Sequence, residues 1–73
     1  MNPIEKHTEA EEDFKRHITA AALLVTKHDT EVLSIETKGI LMAKARLHCV
    51  KAYAQIENMA YLENQTIEDV SSG

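Results

Sequence analysis

The sequence predicts an all-α protein, a hairpin of two or three helices that completes its core by association, as a homodimeric four-helix-type bundle or with a helical partner. Three observations carry this expectation. The run Ile40–Leu62 is apolar on two sides of a helical wheel, and an upstream run from Thr8 to His28 is apolar on one side only. The single strand-like stretch, Thr30–Thr37, has no sequence-local partner for its backbone hydrogen bonds.

The N-terminal helix has two candidate starts. Asn2-Pro3-Ile4-Glu5 offers an Asn cap with Pro in the first helical position. Thr8-Glu9-Ala10-Glu11 is a complete capping box, followed by Glu12 and Asp13 in the turn where the helix dipole favours negative charge. Thr8 is the preferred start. Phe14, Ile18, Ala21, Leu24 and Val25 then fall on one face, and the helix is expected to end near His28. Asp29-Thr30 supplies the break, since both residues favour caps and turns. Thr30–Thr37 is read as helix capped by Asp29 or Thr30, continuing through Gly39 or broken near it.

The long helix is expected to run to about Asn64. On its wheel Leu41, Ala45, Cys49, Ala52, Ile56 and Met59 form one stripe, with Leu41, Ile56 and Met59 assigned to holding the two arms together. Ala43, Leu47, Val50, Ala54 and Tyr61 form a second stripe, separated by Arg46 and Glu57. Lys44, His48, Lys51, Gln55 and Asn58 complete the circle as a solvent strip. Residues 1–64 are therefore expected to be one small helical domain and residues 65–73 a flexible tail.

Length makes the second stripe significant. A chain of 73 residues buries only about 60% of its unfolded surface and has few neighbours of its own to cover a second apolar face. Cys49 is the only cysteine, so an internal disulfide and a Cys-based zinc site are excluded. The thiol is expected to act as a small buried hydrophobe. Association remains as the support, with a second copy or with a heterologous helical protein. Candidate interface residues are Leu47, Val50, Ala54, Tyr61 and Ala43, the alanines allowing close backbone approach.

Other chemistries find little in the chain. His7, His17 and His28 project onto similar directions but are separated by roughly 15 Å along the helix, too far to share an ion. His48 and Cys49 are adjacent and so turn away from each other on a helix. With Gly39 and Gly73 the only glycines, no phosphate-binding loop is present. No catalytic residue, metal, cofactor or small-molecule substrate is expected. No apolar run approaches the roughly 20 residues that span a bilayer. The acidic N-terminal stretch has the wrong sign for a secretory leader, which favours a cytoplasmic location.

Charge is segregated. No acidic residue lies between Glu36 and Glu57, a span that holds Lys38, Lys44, Arg46 and Lys51. Lys38, Lys44, His48 and Lys51 make a basic strip that could meet phosphates, although the net charge is −4. The expected function is therefore a non-enzymatic protein-interaction module (adapter, chaperone or inhibitor) docking through its long helix. The alternative is a small dimeric DNA-binding regulator using that strip, and a weaker third class is a structural subunit of a larger assembly. In size and shape the expected hairpin resembles small helical chaperones of bacterial secretion systems and short helical phage proteins, with no shared motif.

Overall fold

The computed structural model describes residues 3–72, with side-chain surroundings for residues 4–65. Two antiparallel helices make the fold: α1, Pro3–Thr30, and α2, Ile35–Ser72. The expected all-α hairpin is the observed architecture.

Local chemistry explains most of the helix ends. Pro3 opens α1, where its fixed φ suits the first turn and its missing N–H is no loss. The start at Thr8 is thus overturned. Thr8 lies inside the helix, and its hydroxyl donates to the Ile4 carbonyl at 3.1 Å instead of capping. At the other end the Thr30 hydroxyl donates to the Thr26 carbonyl at 2.7 Å, and the Glu31 N–H to the Lys27 carbonyl at 3.1 Å. Lys27 and His28 occupy the last turn, where positive charge complements the dipole.

The cap of α2 is Ser34, not Asp29 or Thr30. Its hydroxyl oxygen accepts the Thr37 N–H at 3.1 Å and its O–H donates to the Thr37 hydroxyl at 2.9 Å. Its carbonyl accepts the Lys38 N–H at 3.0 Å, closing the first turn. From there α2 passes through Gly39 without a break, as the continuous reading expects, and runs to Ser72 rather than ending near Asn64. The side chains beyond Gln65, where the tail was expected, lie outside the described residues.

Burial follows a strict seven-residue repeat. In α1 the seam is His7, Ala10, Phe14, His17, Ala21, Leu24 and His28; in α2 it is Lys38, Leu41, Ala45, His48, Ala52, Gln55, Met59 and Leu62. Steps of three and four alternate throughout, the pattern of a two-stranded coiled coil. Every one of these side chains is buried or half-buried. The buried apolar core is Ala10, Ala21, Leu41, Ala45, Ala52 and Leu62, so four of its six members are alanine. Alanines bring two backbones close, but they remove little apolar surface from water.

Such a seam covers a narrow sector of each helix, and the molecule is correspondingly slender. It measures 59 × 16 × 13 Å over its Cα atoms, with a radius of gyration of 16.9 Å. A compact chain of this length would have a radius of about 11 Å. Its accessible surface is 5549 Å², against roughly 4,500 Å² for a typical folded monomer of this mass.

Candidate protein-interaction surface

The polar members of the seam are held by contacts across it. His17 and His48 meet at 3.0 Å between their Nδ1 atoms, with ring centroids 5.3 Å apart and the planes tilted by 34°. One ring must carry its proton on Nδ1 and donate, while the other accepts through the lone pair. One turn along α1, Asp13 accepts a hydrogen bond from the Gln55 amide at 3.3 Å. His7 and Glu63 pair at 3.1 Å near the open end. Among the described residues no buried side-chain polar atom lacks a partner.

These contacts correct the expected solvent strip. His48 and Gln55 face α1, while Lys44, Lys51 and Asn58 remain exposed. The strip proposed for nucleic acid is correspondingly broken: His48 is turned into the hairpin and Lys38 is half-buried at its edge. The change amounts to a rotation of α2 by about one residue. It carries Cys49 and Ile56 out of the expected core, leaving both exposed, whereas Leu41 is buried and Met59 half-buried as assigned. On α1, Ile18 and Val25 are likewise exposed although expected in the core; Phe14, Ala21 and Leu24 are in the seam. Ile56 and Met59 line a shallow groove with Phe14, rimmed by His7 and Glu63.

Two consequences are measurable. Replacing both His17 and His48 by leucine is expected to stabilise the hairpin by about 1–3 kcal/mol, because two half-desolvated rings joined by one hydrogen bond give way to apolar packing. A lower melting temperature for the double variant would contradict this account of the pair. Cys49 is expected to react with an aromatic disulfide reagent in the native state as fast as a free thiol. Reaction only after denaturation would place it back in a core.

The second stripe of α2 is where the sequence places it. Ile40, Ala43, Leu47, Val50, Ala54, Glu57 and Tyr61 are spaced alternately by three and four residues, a second seam roughly 160° around the helix from the first. Nothing in the hairpin covers it. Ile40 is 56% exposed, Leu47 53%, Val50 60% and Tyr61 60%. Ala43 and Ala54 are exposed between them, and Tyr53 and Met42 widen the apolar area on one side. Glu57 is the only charged residue in the line; Lys44, Arg46 and Lys51 border it. All five candidate interface residues therefore lie on one uncovered helix face.

Among the described residues no group of three or more His, Cys, Asp or Glu side chains is arranged to hold a metal ion. Nor is any described helix long and apolar enough to cross a membrane. No family model matches the chain, and no curated protein or solved structure matches it either.

Proposed function

We propose that this hairpin is a non-enzymatic protein-interaction module that docks through the outer face of α2 against another helix, in the cytoplasm. The observation that carries the reading is the second seven-residue seam, Ile40 to Tyr61, lying open on the far side of a helix whose first seam is already occupied. Contiguous apolar surface of this kind marks an interaction site more often than scattered exposed residues do. Its periodicity supports a helical partner: an α-helix with its own apolar stripe fills such a seam by knobs-into-holes packing.

A regulator binding duplex DNA is supported less well. The exposed cations Lys44, Arg46 and Lys51 border an apolar line instead of forming a continuous basic surface, and the chain carries 12 acidic against 8 basic residues. The two readings separate in one comparison. Tagged wild-type protein and the Leu47→Asp/Val50→Asp variant are each incubated with native lysate and washed at raised salt. A protein retained by the wild type and lost by the variant supports the docking face. Identical retained proteins, or salt-sensitive retention of DNA by both, contradict it.

A further inference from the structure

The outer seam of α2 has a feature that selects its occupant. Its charges are arranged to complement themselves when the helix is reversed. The midpoint of Ile40–Tyr61 falls beside Val50. Turning a second α2 end for end about that point keeps like flanks together and brings Glu57 of each copy beside Arg46 of the other, the two lying on the same flank of the line. It also lays Tyr61 of each copy level with Ile40 of the other, and Leu47 level with Ala54, a large side chain against a small one. A parallel pairing instead sets Glu57 level with Glu57 along the apolar line and crosses the flanks, so that Arg46 of each copy lies beside Lys44 of the other. From this we infer that the face takes a second copy of this chain, paired antiparallel through α2 with a two-fold axis near Val50. The inference rests on the reading of this face as a docking surface and names its partner.

Two further observations fit. Ile40, Leu47, Val50, Tyr53 and Tyr61 are the large apolar side chains exposed on and beside this line. Covering them in both copies, at on the order of 100–150 Å² each, removes roughly 1,200 Å² from water, the lower end of the range for specific interfaces. The exposed alanines at 43 and 54 leave room along the line for the larger side chains of a facing helix. One term opposes the pairing: Lys51 borders the line next to the axis, so two ammonium groups face water near one another.

The test is a set of charge reversals read by sedimentation equilibrium from micromolar to near-millimolar concentration at low salt. Wild-type protein is expected to pass from monomer to dimer. Glu57→Lys and Arg46→Glu should each weaken the dimer roughly tenfold, since each turns two symmetry-related attractions into repulsions. The double variant R46E/E57K should return to within about threefold of wild type. All of these variants should keep the wild-type far-UV circular dichroism. In a parallel dimer neither Glu57 nor Arg46 meets an opposite charge, so unchanged or tighter affinity in the single variants overturns the antiparallel pairing. A mass that stays at that of one chain throughout overturns self-pairing altogether. That result leaves the docking face itself to be judged by the aspartate variant against lysate, so the two failures are distinguishable.

Discussion

Replacing Leu47 and Val50 together by aspartate is expected to weaken any complex formed through the outer face of α2 by more than about 100-fold, while leaving the hairpin folded. Both effects follow from where the residues lie. In the hairpin each is more than half exposed, so the new carboxylates stay hydrated and folding stability should change by less than about 1 kcal/mol. In a complex the same positions become the centre of a packed seam. Two unpaired carboxylates would then have to be stripped of water or to protonate, at a cost of several kcal/mol. Far-UV circular dichroism and thermal melting report the first effect, and equilibrium binding or sedimentation the second. Loss of helicity in the variant would show that these side chains belong to the hairpin's own core.

Leu41→Ala should do the reverse. Leu41 is 7% exposed and is one of two large side chains in a buried set otherwise made of alanine. Its truncation is expected to cost about 2–4 kcal/mol, the usual range for a buried leucine. A chain of 73 residues has little more than that to lose. The urea midpoint should fall steeply, and the variant should populate unfolded chains at 37 °C. Leu47→Ala, the same chemical change about one and two-thirds turns along the helix, should leave the midpoint of the dilute protein almost unmoved. Equal losses in the two variants, measured at a concentration where the protein is a single chain, would contradict the assignment of one seam to the hairpin and the other to solvent.

The fold was legible because the broad pattern suffices for it. One-sided periodicity in the first helix, a wide apolar circumference in the second and turn-forming residues between them leave few arrangements other than a hairpin. The candidate face was legible for the same reason: Ala43, Leu47, Val50, Ala54 and Tyr61 are apolar, and apolarity is what a helical wheel sorts by. The hairpin seam was harder. Its periodicity is perfect, but three α2 positions carry Lys38, His48 and Gln55. A hydrophobicity criterion therefore prefers Cys49 and Ile56 next door and turns the helix by about one residue. What decides the matter is partnership across the seam, His17 for His48 and Asp13 for Gln55, which belongs to the tertiary structure. The seven-residue spacing of all four histidines with seam positions on both helices was the available signal. Counting steps of three and four without regard to polarity finds it.

Helix ends divide in the same way. Pro3 opens α1 as its stereochemistry favours, yet the more complete capping box at Thr8 is bypassed because helix on both sides of it gains from the seam, which already includes His7 and Ala10. Ser34 stands in a run rich in β-branched residues and lacks the glutamate that completes a capping box three residues on, so no complete motif marks it. Thr37 serves in its place.

The most direct test of the two-seam account is hydroxyl-radical footprinting of the intact chain, first at a dilution where its mass is that of one molecule and then in its associated state. Leu41 and Leu62 should be protected in both, and Leu47, Val50 and Tyr61 reactive in the first and protected in the second. Protection of Leu47, Val50 and Tyr61 in the dilute single chain would contradict the account, because its own two helices would then already enclose the face assigned to a partner.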